Sequence, residues 1–238
     1  MRPPIMESVS NDGKPPVETS MRDVGLRTRL AWPWLVRRLP PCGRDTVLLT
    51  FDDGPTAGVT DAVLDRLVIH GARALFFVVG RRVEEAPELA RRIVEEGHVL
   101  GNHSHQHRME HWPSLSSYQA DLDRCQHAVA AATGREPAAF RAPGGRMHAA
   151  SVVAPRRRGL PHVHWSVDPR DYAAADDHAA AVLGERLGAE IRGRDIVLLH
   201  DAEPKVLALL DVLLPLLTAR GLDLAGGVGM VVDAGGGS

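Results

Sequence analysis

The 238-residue chain is 44 % apolar and 24 % charged, an ordinary globular balance that excludes disordered and collagen-like classes for its bulk and suits one large core rather than two small ones. Its net charge of -2 gives no long-range attraction for a phosphate backbone or anionic lipid, so a nucleic-acid partner is not expected; Arg156, Arg157 and Arg158 read as a solvated basic face. Two cysteines, Cys42 and Cys125, build no disulfide framework and lack zinc-ligand spacing.

Residues 1–20 are rich in Pro, Ser, Asp and Gly and read as a disordered extension, with Met21 as an alternative start. The stretch 30–39 is broken by Pro33 and ends in Arg37-Arg38. Pro40-Pro41-Cys42-Gly43 follows where an export signal would need an apolar run. No integral membrane segment is read and a cytoplasmic location is the default. Export is left open, as is a membrane-surface contact through Trp32, Trp34, Leu35 and Val36, although packing onto the domain is preferred. The expected divisions are a largely flexible extension over 1–45, one domain over 46–232 and a flexible Gly-rich tail over 233–238.

From Thr46 onward strand-like runs alternate with helical ones. Residues 46–51, 74–79, 98–102, 138–141, 162–167 and 196–200 predict strands, and 59–70, 87–96, 115–133, 176–192 and 206–220 predict helices, each with a glycine near its C-terminus. Such alternation argues for parallel strands in an open sheet or a barrel. Polar residues cluster at the C-terminal strand ends: Asp52-Asp53, His103, Arg141, Asp168 and His200. In a barrel those ends share one face.

Thr50-Phe51-Asp52-Asp53-Gly54-Pro55 ends a strand in two carboxylates, one of which can bind a metal while the other faces a water; a capped turn is the plain alternative. In His103-Ser104-His105-Gln106-His107, two imidazoles four residues apart lie on one face of a helical turn, a spacing that suits a zinc-type ion joined by a carboxylate. His105 falls on the opposite side and is expected in solvent, and His98 and His111 lie nearby. Arg141 can pair with a site carboxylate, and the Pro143-Gly144-Gly145 backbone can offer an N–H to an oxyanion. A histidine ending an apolar strand, as His200 does, is usually structural, but a nearby carboxylate would keep it protonated as an acid.

In order, these segments, with Trp165-Ser-Val-Asp168-Pro-Arg-Asp171-Tyr172 and Leu198-Leu-His200-Asp201, resemble the five motifs of the polysaccharide deacetylases, carbohydrate esterase family 4 or the NodB homology domain, over about 46–232. The resemblance implies a distorted, TIM-like (β/α)7 barrel and a divalent metal held by Asp53, His103 and His107, with zinc the default and cobalt an alternative. It further implies Asp52 as general base oriented by Arg141, His200 as the acid for the leaving amine with Asp168 as its partner, and the Gly144 N–H as an oxyanion donor. Pro143, Gly144, Gly145, Trp165, Tyr172 and Leu198 would line the substrate groove. Two departures stand out: Gly144 occupies a usual aromatic position, and Tyr172 replaces a usual tryptophan. The expected function is metal-dependent hydrolysis of N-acetyl or O-acetyl groups on an amino-sugar glycan such as chitin oligomers or peptidoglycan. A small-molecule N-acyl hydrolase and an inactive carbohydrate-binding relative are the alternatives. A phosphoesterase would want a second metal and a phosphate clamp, which the sequence does not offer. Oligomeric state is not legible.

Overall fold

Continuous runs of Leu, Val, Ile and Phe form the central strands β2 (Leu48–Asp52), β3 (Ala74–Val78), β4 (Val99–Asn102) and β6 (Ile196–His200), paired in parallel in the order β4-β3-β2-β6. Such runs are what a parallel sheet covered on both faces requires. A shorter pair, β1 (Leu35–Val36) and β5 (His162–Val163), is also parallel. The computed structural model describes residues 35–109 and 114–235, with side chains through residue 231. Expectations for residues 1–34, for His111 and for 236–238 lie outside the described residues.

Single-residue bridges join the two sheets. Phe140 pairs with Asn102 on one side and His162 on the other, Val167 pairs with Val197, and the Leu39 N–H donates to the Arg194 carbonyl. Six strands and the Phe140 bridge supply seven parallel positions around a distorted barrel.

Alternation along the strands separates two apolar layers. Leu49, Phe51, Phe76, Val78, Val197 and Leu199 face the helices, whereas Leu48, Leu75, Phe77 and Ile196 share a second cluster with Leu39, Val163, Val228 and Val231. Thr50, Asp52, Leu198 and His200 continue that second face toward the C-terminal strand ends, and Thr50 pairs in register with Leu198, Asp52 with His200. One face of two neighbouring strands therefore runs from apolar packing into chemistry.

The helices are α1 (Thr60–Ile69), α2 (Gly80–Glu85), α3 (Pro87–Glu95), α4 (Leu115–Thr133), α5 (Ala149–Arg156), α6 (Asp177–Glu190), α7 (Lys205–Ala219) and α8 (Gly227–Gly235). In α4, Ser114 and Ser117 form a reciprocal capping box, and Gly134 at φ 70° closes the C-terminus in the left-handed conformation that a Cβ disfavours.

Several expectations need correction. Residues 35–45 are not a flexible extension: Leu39 is fully buried, and Arg38 pairs with Asp195 at 2.5 Å. The tail assigned to 233–238 begins too early, since α8 runs to Gly235 and packs Val228 and Val231 into the inner cluster, tertiary burial overriding the poor helix propensity of its glycines. The expected strand at 138–141 reduces to the Phe140 bridge, and that at 162–167 to His162–Val163 and the Val167 bridge; between these two the Val163 and His164 carbonyls accept from the Arg141 guanidinium. Helices α2, α5 and α8 were not expected.

Candidate active site

Asp52 ends β2 with its side chain buried, beside the fully buried Arg141. Arg141 Nη1 donates to Asp52 Oδ1 at 2.6 Å and to Thr50 Oγ1 at 2.8 Å, while Nε and Nη2 donate to the carbonyls of Val163 and His164 at 3.0 and 3.1 Å. The guanidinium also lies 4.1 Å from the Phe77 ring centroid and 5.4 Å from that of Trp165. Every edge of the cation is engaged, which fixes the carboxylate oxygen it holds and leaves Asp52 Oδ2 toward the site.

One residue further, Asp53 turns out of the strand with φ 78°, a left-handed conformation that Asp tolerates better than most residues. Its Oδ1 lies 2.9 Å from His107 Nε2 and 3.4 Å from His103 Nε2, and His103 Nε2 is 3.6 Å from Asp52 Oδ2. The 103–107 segment is not the helical turn that the four-residue spacing suggested. Ser104 and His107 take φ of 67° and 51°, and the loop brings both imidazoles to Asp53 by this route instead. His105, expected in solvent, is buried, with Nε2 3.7 Å from Glu84; a Cβ on Gly80 would stand 2.5 Å from its Nδ1.

The donor set fits a cation. His103 Nδ1 lies 2.9 Å from the Arg141 carbonyl, which can only accept, so Nδ1 carries the proton and Nε2 presents its lone pair. Asp53 Oδ1 is buried and makes no hydrogen bond, and one ligand atom from each of Asp53, His103 and His107 lies within 4.8 Å of the others. A carboxylate and two imidazoles leave further coordination positions open. Burial alone would lower the His103 pKa and raise that of Asp53. The Asp52 and Asp53 charges reverse the first effect and the two imidazoles the second, so His103 is raised and Asp53 held far below the carboxylate range. The field that draws a proton to this point would draw a divalent ion.

Across the site, His200 ends β6. Its Nδ1 is 2.7 Å from Asp171 Oδ1, and its backbone N–H donates to Asp171 Oδ2 at 2.8 Å. Burial pushes this imidazole down, but the Asp171 hydrogen bond and charge, reinforced by Asp52 and Asp53, outweigh it and raise the pKa to about 9. Asp168, the expected partner, is instead turned back on its own loop, accepting from the Arg170 N–H at 3.0 Å. Arg170 at φ 56° reverses the chain and delivers the next carboxylate, Asp171, beneath His200. The sequence carried this option, since Asp168-Pro-Arg-Asp171 holds two acids three residues apart.

Of the expected lining residues, Tyr172 meets the His200 ring edge-on at 5.2 Å and is half exposed. Leu198 is buried one register step below His200 on the same face. Pro143–Gly145 forms a 3-10 turn with Gly144 at φ 59°; a Cβ on Gly144 would meet the Met109 methyl, and one on Gly145 the Trp165 ring. A cavity of about 80 Å³ beside Asp53 and His200 is lined by Asp171, Tyr172, Glu203 and Lys205. Sequence reasoning missed Thr50, which donates to the Val197 carbonyl while accepting from Arg141, and Asp201, fully buried and bonded by the Thr60 hydroxyl at 2.6 Å. Alternation from Asp52 would have found Thr50, but nothing local marks Asp201.

A family model described as polysaccharide deacetylase matches residues 40–163, just over half of the chain. The chain belongs to the polysaccharide deacetylase family. It is 36 % identical over 177 residues to the peptidoglycan-N-acetylglucosamine deacetylase PgdA of Listeria monocytogenes, covering 74 % of this chain but 37 % of that protein, so it spans little more than a third of that relative. A chitooligosaccharide deacetylase of a Bradyrhizobium strain is 37 % identical over 206 residues, covering 76 % of this chain and 89 % of the relative. Among solved structures, a family 4 carbohydrate esterase pseudoenzyme from Bacillus anthracis matches with a TM-score of 0.74 at 25 % identity, over 85 % of this chain and 70 % of that one. For a polysaccharide deacetylase a divalent metal is implied, and Asp53, His103 and His107 are the residues here that fit it.

Proposed function

We propose that this chain hydrolyses the N-acetyl group of an amino-sugar unit in a glycan, with zinc held by Asp53, His103 and His107. The observation that carries the reading is the convergence of those three side chains between an oriented carboxylate, Asp52 with Arg141, and a protonated imidazole, His200 with Asp171. Amide hydrolysis needs an activated water, relief of the developing oxyanion and a proton for a poor amine leaving group.

A bound divalent ion supplies Lewis acidity, making water more acidic and polarising a carbonyl. Asp52 Oδ2, left free by the Arg141 contact to Oδ1, accepts the proton of the attacking water. The oxyanion finds a backbone donor at Gly144, which carries no side chain of its own beside that N–H. His200, charged at neutral pH, gives its Nε2 proton to the departing amine while Asp171 holds the ring through Nδ1. Acetate and a free amine result.

The substrate class follows the relatives, named for peptidoglycan N-acetylglucosamine and for chitooligosaccharides. Intact Asp52, Asp53, His103, His107 and His200 support an active enzyme over an inactive carbohydrate binder. Acetate release by the zinc-loaded protein from chitin oligomers, peptidoglycan and small N-acetyl sugars tests the proposal. Release from either polymer-derived substrate supports it, release from the small sugars alone selects the small-molecule alternative, and no release from any overturns it.

A further inference from the structure

We propose that Asp121, on a helix that supplies no ligand, is a positioning residue for the metal site, clamping the loop that carries both histidine ligands. The inference rests on the reading of Asp53, His103 and His107 as ligands. Between His103 and His107 the chain leaves the sheet and passes through two left-handed, non-glycine residues. No repeating backbone ladder holds it, so its amides must find side-chain acceptors.

Those acceptors are all in place. The Ser104 N–H donates to Asn102 Oδ1 at 2.8 Å and the His107 N–H to Ser104 Oγ at 2.9 Å. The two amides between them, of His105 and Gln106, donate to the two oxygens of Asp121 at 2.8 and 3.1 Å. Only a carboxylate offers two acceptors and no donor to a pair of successive N–H groups. Asn102 is tied to the same helix, since its Nδ2 donates to the Leu122 carbonyl and to Gln126 Oε1 at 3.0 and 2.9 Å. On the opposite side, the Gly80 and Arg81 N–H groups donate to the Ser104 and His105 carbonyls. The loop is held between α2 and α4, and the buried Asp121 carboxylate reaches its midpoint from α4.

Loss of this clamp would release the His105-Gln106 peptides and let His107 swing from Asp53, while Leu122, Cys125 and Val129 keep α4 in the core. The test is titration of the metal-free protein with Co2+, followed by calorimetry and visible absorption, because the cobalt spectrum reports coordination geometry independently of turnover. Asp121→Asn, which sets a donor against one N–H, is expected to bind Co2+ roughly 10 to 100 times more weakly, with an altered spectrum, as loss of an outer partner of a metal ligand typically does. Asp121→Glu, which keeps both oxygens, is expected to recover part of the affinity. A folded Asp121→Ser variant carries the same test should Asp121→Asn not fold. Wild-type affinity and spectrum in Asp121→Asn, or in Asp121→Ser where that stands in, would overturn the clamp alone. A wild-type chain that binds no Co2+ would overturn the ligand reading beneath it.

Discussion

The two flanks of the site are built differently. Asp52 and His200 stand on the ends of neighbouring strands, paired in register on one face of the sheet, and their places follow from side-chain alternation alone. The groups that complete the site, His103 and His107, Asp171 and the Pro143–Gly145 turn, sit on irregular segments held by side-chain hydrogen bonds and left-handed residues. A rigid frame thus fixes the two groups proposed to transfer protons, while loops supply the proposed cation ligands His103 and His107 and the carboxylate beneath His200.

The largest effect should come from the loop side: His103→Ala or Asp53→Ala removes a ligand, so bound metal is lost and kcat/KM falls on the order of 10³-fold or more, checked by metal analysis alongside acetate release. Next is the strand side, where Arg141→Ala leaves Asp52 buried without its partner. This is expected to cost about 3–5 kcal/mol of stability, read as a lowered denaturation midpoint, and to lose turnover too.

A third change separates two neighbouring acids. In the proposed role His200 acts as its protonated form, so activity should decline as pH rises through about 9. Asp171→Asn removes the interaction that raises this pKa, and the basic limb of the kcat/KM profile should then fall to the ordinary histidine value of about 6.5 or below. Asp168→Asn should leave that limb in place. A shift in Asp168→Asn with the limb unmoved in Asp171→Asn would return the partner role to Asp168.

The smallest effect expected is at Asp201, which burial, with the nearby Asp53 charge, raises to about 7. A carboxyl raised above its unfolded value weakens the fold as pH climbs from about 4 through 7. Asp201→Asn should therefore make the metal-free protein more stable at pH 8, by a few kcal/mol at most on the order of that linkage, and flatten this part of its stability curve. Unchanged pH dependence would show that Asp201 stays ionised.

What was legible in the sequence divides along the same line as the site. The runs behind β2, β3 and β6 declare themselves by apolar content, and α4 falls on the expected 115–133 because its serine cap and C-terminal glycine are local signals. Asp52, Asp53, His103, His107, Arg141 and His200 could be named for the same reason, each lying on or just past an apolar strand or its expected continuation. The spacing of His103 and His107 fits a helical turn as well as the loop that forms, and only tertiary hydrogen bonds decide between them. The bonds to the His105 and Gln106 amides come from Asp121, sixteen residues from His105 on a separate helix. Asp171 was lost to Asp168 because a left-handed Arg170 reverses the chain between them. Burial of α8 against Leu48 and its neighbours was invisible behind its glycines.

The central claim is that cation binding and proton abstraction belong to adjacent residues, Asp53 and Asp52. Bound zinc per chain and acetate release from chitin oligomers, measured side by side for wild type and Asp52→Asn, test it most directly. One zinc is expected in both proteins, and turnover in wild type alone. Wild-type turnover in Asp52→Asn, or loss of its zinc with the fold intact, would contradict it.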